Sequence, residues 1–263
     1  MLNVDAPALH VETVGTGPPL VLVHGWALHG GLFAPVLPAL AQAHRVHVVD
    51  LPGHGHSGAL EAWSLDAVVD ALHEAFATEP PLHVLGWSLG GSVAMRWAAR
   101  HPQRIGRLVL VAATPKFVAA ADWPHAMGQD TLSRFADELR VAYRATFVRF
   151  LSLQVQGSDD ARSTLAMLRR EAAARGEPDA SVLAEALETL ATLDLREDVP
   201  RIDAPALVVG GGRDTLVPAQ ACEWLASALP RAGLHILAGA GHAPFLSHRA
   251  AFVEVVNAFL SDV

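Results

Sequence analysis

The chain has 263 residues, 51% apolar and 17% charged, a balance that excludes an intrinsically disordered protein, and no apolar run approaches the length of a membrane span. Its formal net charge of −8 argues against general nucleic-acid binding, which needs a basic surface, and a single cysteine, Cys222, allows no internal disulfide. A soluble, cytoplasmic protein is expected, with no membrane partner; the first twelve residues lack the basic segment followed by an apolar one that marks a secretory signal.

Short runs rich in Val and Leu recur along the chain. LVLVHG (20–25) comes first, then a helix-compatible stretch at 32–43, RVHVVD (45–50) and a helix over 64–77 with Ser64 as its N-cap. LHVLGW (82–87) precedes an alanine-rich helix at 89–100 that His101-Pro102 stops, and RLVLVAA (107–113) follows. The rhythm then breaks: from about 115 to 194 there are only helical patterns, around 130–155, 159–174 and 179–193. ALVVGG (206–211), a helix at 218–228, LHILAG (234–239) and a helix at 250–260 complete the series.

Runs this continuously apolar suit strands covered on both faces. Their alternation with helices predicts an α/β protein with a doubly wound, mostly parallel sheet. Its core is expected at 1–114 and 196–263, with a helical cap inserted at 115–195 over one edge of the sheet. Binding sites in such sheets lie at the carboxyl ends of the strands.

Within GWSLGG (86–91) the pattern G-x-S-x-G falls between a predicted strand and a predicted helix. There a serine occupies a tight, strained turn, and the glycines let neighbouring backbone come close. Ser88 is therefore the candidate nucleophile. A serine hydroxyl needs a base, and the base an orienting partner. Asp214 follows ALVVGG and His242 follows LHILAG, each just past the carboxyl end of a predicted strand, in the order Ser, Asp, His of a nucleophile-elbow hydrolase. Asp194 and Asp198 are rivals for the acid. Acyl transfer also needs donors for the developing oxyanion: the amide of Leu89 is one, and Trp26, in the loop His24-Gly25-Trp26, the other. The Trp26 indole either lines the acyl pocket or packs, and His24 shapes its loop rather than transferring protons. In DLPGHGHS (50–57) the histidines lack ligand spacing, and no H-E-x-x-H occurs, so neither a metal nor another cofactor is expected.

At these residues the sequence resembles the α/β-hydrolase superfamily over nearly its whole length and, within it, the pimeloyl-[acyl-carrier protein] methyl ester esterases of biotin synthesis. HGWAL (24–28), DLPGHGHS, GWSLGG, ADWP (121–124), RFLSLQ (149–154), DLR (194–196) and GHAPFLSH (241–248) carry the resemblance. It implies Ser88, Asp214 and His242 as the triad, Trp26 and Leu89 as the oxyanion hole, a cap inserted after the sixth strand, and substrate contact from Phe150, Leu151, Ser152, Leu153 and Gln154. It also implies a partner, an acidic acyl carrier protein bearing the acyl ester. Residues 130–175 hold eight arginines against six acids. Arg140 and Arg144 lie one helical turn apart, Arg149 follows, and Arg162, Arg169 and Arg170 come later. They serve either electrostatic steering or ordinary helix solvation. Arg149 and Arg162 match arginines of the family, while Ala145 and Ala166 stand at two other such positions. Arg144, Arg149, Arg162 and Arg169 are the candidate carrier contacts.

A serine carboxylesterase is the expected activity. A broad-specificity short-chain esterase or carbon–carbon bond hydrolase would use the same triad, and a hydrolase-like signalling receptor would keep it without turnover. A dehalogenase or epoxide hydrolase would want an aspartate at position 88.

Overall fold

The computed structural model describes residues 9–261. Among them seven strands form one sheet: β1 (Val11–Val14), β2 (Pro19–Val23), β3 (Arg45–Val49), β4 (Leu82–Trp87), β5 (Ile105–Val111), β6 (Ala206–Gly211) and β7 (Ala232–Leu237). Their spatial order is β1-β3-β2-β4-β5-β6-β7; β1 runs antiparallel to β3 and every other pairing is parallel. Successive residues of a strand face opposite sides, so β2 feeds two cores at once. Leu20 and Leu22 pack in one apolar layer, Val21 and Val23 in the other.

Among the described residues ten α-helices accompany the sheet: α1 (Leu37–Leu40), α2 (Leu65–Ala75), α3 (Leu89–Arg100), α4 (Gln129–Val141), α5 (Tyr143–Leu153), α6 (Ala161–Ala172), α7 (Ala180–Thr192), α8 (Ala219–Ala228), α9 (Pro244–Ser247) and α10 (Arg249–Ser261). At the start of α2 the Ser64 side chain accepts the Ala67 N–H, a cap worth about 1 kcal/mol. Leu65, Val68, Val69 and Leu72 of α2 are buried, while Asp66 and Asp70 reach the guanidiniums of Arg96 and Arg100 on α3. None of the described helices is long and apolar enough to cross a membrane.

Four helices, α4 to α7, sit between β5 and β6. The ends of this insertion meet, the Leu195 N–H donating to the Pro115 carbonyl at 2.8 Å. Among the described residues the insertion follows the fifth strand, not the expected sixth, because only one strand, β1, precedes the parallel run. That strand, VETV, lies at the sheet edge with three of its four residues exposed, and so lacks the apolar continuity of the others. The helix expected over 32–43 is reduced to a 3₁₀ turn, Gly30–Phe33, and the single turn α1, since Pro35 and Pro38 interrupt the backbone ladder. The helical pattern over 130–155 divides into α4 and α5 at Ala142, whose φ of −139° and ψ of 56° leave the helical region.

Candidate active site

β4 ends at Trp87 and α3 begins at Leu89, so one residue, Ser88, makes the whole reversal. Its φ is 56° and ψ −117°, a conformation costing a non-glycine residue about 1–3 kcal/mol. The turn closes because its neighbours lack side chains. A Cβ on Gly86 would lie 2.2 Å from the Gly90 carbonyl oxygen, and one on Gly90 2.2 Å from that of Val23. Ser88 is half-buried between buried neighbours, so its hydroxyl is the part of the turn that faces outward.

His242 and Asp214 come to the same rim from the ends of β7 and β6. The His242 Nδ1 lies 2.8 Å from Asp214 Oδ2, with both side chains shielded from solvent. The other oxygen, Oδ1, accepts the Leu216 and Val217 N–H groups at 2.8 and 3.0 Å, which fixes the carboxylate. A carboxylate only accepts, so Nδ1 carries the ring hydrogen and Nε2 keeps its lone pair. The backbone of His242 is held as well: its N–H donates to the Gln154 carbonyl at 2.9 Å, and its carbonyl accepts the Trp87 indole N–H at 2.7 Å. Asp194 and Asp198, the rival acids, are engaged elsewhere. Asp194 pairs with Arg196 and Lys116, which hold its carboxyl far below the usual carboxylate range, and Asp198 pairs with Arg96.

Ser88 and His242 line one cavity of about 330 Å³ with Trp26, Phe117, Met127, Phe135, Phe150, Leu153, Leu187, Leu190 and Leu216 among its apolar walls. The two side chains are not hydrogen-bonded to each other, and among the described residues neither Ser88 Oγ nor His242 Nε2 has another partner. Nucleophile–base contacts of this kind tighten when a substrate is seated. The Trp26 indole meets Phe150 and Phe135 edge-on and donates to the Leu183 carbonyl on α7 at 3.0 Å, so it both lines the cavity and packs against the insertion. The backbone N–H of Trp26 and that of Leu89, the first residue of α3, enter no turn or loop hydrogen bond among the described residues.

Of the five residues expected on the substrate from α5 and its end, the structure brings Phe150 and Leu153 to the cavity. Leu151, Ser152 and Gln154 do not line it. One helical face takes positions three apart, which leaves Leu151 buried in the second apolar layer and Ser152 Oγ bonded to the Val148 carbonyl. Gln154 is buried beneath, where its carbonyl holds His242. Arg134 and Glu138 on α4 join Arg149 in the wall; neither carries a motif that would single it out, since both share a helical face with apolar neighbours. Arg149 is ion-paired with Glu138 and Arg144 with Glu177, whereas Arg162 and Arg169 are exposed on α6 without an ion pair among the described residues. A larger groove of about 670 Å³ between α4 and α7 shares Leu132 and Leu187 with the cavity but contains none of Ser88, Asp214 and His242.

His24 is fully buried below the Trp26 loop, and burial together with His54 brings its pKa down to about 3. His10, Asp50 and His56 place one ligating atom each within 4.8 Å of one another. The Asp50 carboxylate there already receives Arg175 on both oxygens and the N–H groups of Gly30 and His56, a donor set that suits an ion pair and not a cation site.

The sequence pattern of one family, described as the alpha/beta hydrolase fold, matches residues 18–249. The chain belongs to the alpha/beta hydrolase family. This hydrolase is 46% identical over 248 residues to a pimeloyl-[acyl-carrier protein] methyl ester esterase of Chromobacterium violaceum, covering 94% of this chain and 96% of that one. It is 45% identical over 255 residues to the protein of the same name in Xanthomonas axonopodis pv. citri, covering 97% of this chain and 100% of the relative. In fold it superposes on an esterase from Exiguobacterium antarcticum with a TM-score of 0.91 at 21% identity, over 98% of this chain and 97% of the other.

Proposed function

We propose that this hydrolase is a serine carboxylesterase that cleaves the methyl ester of a pimeloyl chain carried on acyl carrier protein, giving the free carboxyl and methanol for biotin synthesis. The observation that carries the reading is the convergence of Ser88 and the Asp214-held His242 on one apolar cavity, in a chain that matches relatives of that name along nearly their full length. Ser88 is the nucleophile. His242 Nε2 removes the Oγ proton as Oγ adds to the ester carbonyl carbon, and the oxyanion accepts the N–H groups of Trp26 and Leu89. The tetrahedral intermediate collapses, the C–O bond to the methoxy group breaks, and the imidazolium proton passes to the leaving oxygen as methanol departs. Water, deprotonated by His242, then adds to the acyl-serine; the acid leaves and Ser88 regains its proton. Asp214 keeps the base in the Nδ1–H tautomer throughout.

The walls suit an aliphatic chain, with Phe150 and Leu153 as its contacts from α5. We assign residues 115–195 to a cap and 1–114 with 196–263 to the core; 1–8 and 262–263 lie outside the described residues. The acidic carrier is assigned to the exposed arginines of α5 and α6, Arg144, Arg162 and Arg169, together with Arg149, which also lines the cavity, and the reaction to the cytoplasm. The test is methanol release from pimeloyl-carrier methyl ester against a free short-chain methyl ester. Marked preference for the carried ester, lost with Ser88→Ala, is expected. Equal turnover of both would reduce the function to general esterase.

A further inference from the structure

We infer that His24 and Arg175 are positioning residues for the oxyanion hole, holding the Gly25–Trp26 peptide so that its N–H faces the carbonyl oxygen bound at Ser88. This rests on the triad reading above and deepens it. The Gly25 carbonyl and the Trp26 N–H belong to one trans peptide unit and point in opposite directions, so fixing one end aims the other. His24 Nδ1 lies 2.8 Å from that carbonyl oxygen. The Leu51 N–H donates to His24 Nε2 at 2.9 Å, so the ring hydrogen sits on Nδ1 and donates to Gly25. The peptide passes beside the nucleophile: a Cβ on Gly25 would lie 3.3 Å from the Ser88 Cβ. One residue later Ala27 takes a left-handed φ of 60°, turning the chain away.

Arg175 acts from the α6–α7 connection. Asp50, next to Leu51, is fully buried; its Oδ1 accepts the Gly30 N–H at 2.8 Å and its Oδ2 the His56 N–H at 2.9 Å. Asp50 thus joins the loop carrying Trp26 to the loop carrying Leu51. Arg175 Nη1 reaches both carboxylate oxygens, at 3.0 and 2.9 Å, with its side chain 10% exposed. Without this guanidinium a buried charge stands uncompensated, and the loop that presents the Leu51 N–H to His24 loses its anchor. The insertion therefore sets the hole as well as roofing the cavity.

The test uses a free short-chain ester and a trifluoromethyl ketone whose adduct with Ser88 places an oxyanion in the hole. His24→Ala should lower kcat about 100-fold with KM within about threefold of wild type, and weaken the ketone by the same factor as kcat. His24→Asn, whose amide still donates to the Gly25 carbonyl, should recover to within about tenfold of wild type. Arg175→Met should lower kcat about tenfold, and adding Asp50→Asn, which removes the stranded charge, should restore part of it. Melting temperatures report folding separately, and Arg175→Lys serves if Arg175→Met does not fold. A raised KM with unchanged kcat, or a fall in kcat without matching loss of ketone affinity, overturns the inference. Failure of the carrier-protein reading appears instead as wild-type indifference to the carrier, leaving these ratios intact.

Discussion

The Nδ1 of His242 and the Oδ2 of Asp214 are 2.8 Å apart, and the other Asp214 oxygen is tied to two backbone N–H groups. Asparagine at 214 keeps the shape and the backbone bonds but offers an amide hydrogen to Nδ1, which moves the ring hydrogen to Nε2, where the base must be free. Asp214→Asn is expected to lower kcat about 10⁴-fold while the protein stays folded. Steady-state kinetics alongside a thermal melt checks this; a loss below tenfold would remove Asp214 from the triad.

Backbone strain at Ser88 gives a prediction with opposite signs for activity and stability. Glycine tolerates the φ of 56° that serine and alanine do not. Ser88→Gly and Ser88→Ala should both be inactive, yet the glycine variant should be the more stable by about 1 kcal/mol, or roughly 2–4 °C in Tm. Calorimetry of the pair decides it, and equal melting points would mean the turn is unstrained.

Buried histidines set the acid limit of stability. Burial, with His54 for His24, lowers His24 to about 3 and His54 to about 4, against an ordinary value near 6.5. Above that value both folded and unfolded chains are neutral at these sites. As pH falls through it the unfolded chain gains protons that the folded chain refuses, so stability drops as pH falls. Each of the two side chains contributes roughly 2 kcal/mol of loss between about pH 8 and pH 5. The carboxylates held low, such as Asp50 and Asp66, add their losses only at more acid pH. Melting temperature against pH, with proton uptake on unfolding, tests the sign; a flat curve from about pH 8 to 5 would contradict it.

Charge on α6 gives the test of carrier docking. Arg162 and Arg169 are exposed and lack ion pairs among the described residues, whereas Arg144 and Arg149 are already paired. Reversal at Arg162 and Arg169 to Glu should raise KM for the carried ester several-fold and leave a free ester unchanged. Raising ionic strength from about 0.01 M to about 1 M, which shortens the Debye length from about 30 to 3 Å, should weaken the wild type on the carried ester in the same way. Kinetics on both substrates would show salt-independence if the arginines only solvate the helix.

How far the sequence disclosed this arrangement depends on which forces wrote it. β2 to β6 are covered on both faces, so their apolar continuity is plain, and Ser88 and Asp214 are legible because each follows the end of such a strand; His242 follows β7, a half-exposed edge strand whose LHIL run still reads as one. β1, solvated on most of its residues, left no comparable pattern. The split at Ala142 has no proline or glycine to announce it. Helical spacing explains why Phe150 and Leu153 reach the cavity and Leu151 does not, but which face turns inward is settled by packing against Trp26. The Asp50–Arg175 pair spans 125 positions and could not be anticipated, since an arginine near a helix end has many uses. The role of Gln154 is hidden for another reason: its backbone carbonyl, not its side chain, holds His242.

The most direct measurement is an intact-mass and peptide-mapping experiment on protein acid-quenched within the first turnover of an activated aliphatic ester. An acyl adduct on Ser88 that forms and decays at the rate of turnover, and is absent from Ser88→Ala, is the predicted result. Undiminished turnover by Ser88→Ala, or a kinetically competent adduct on another residue, would contradict the account.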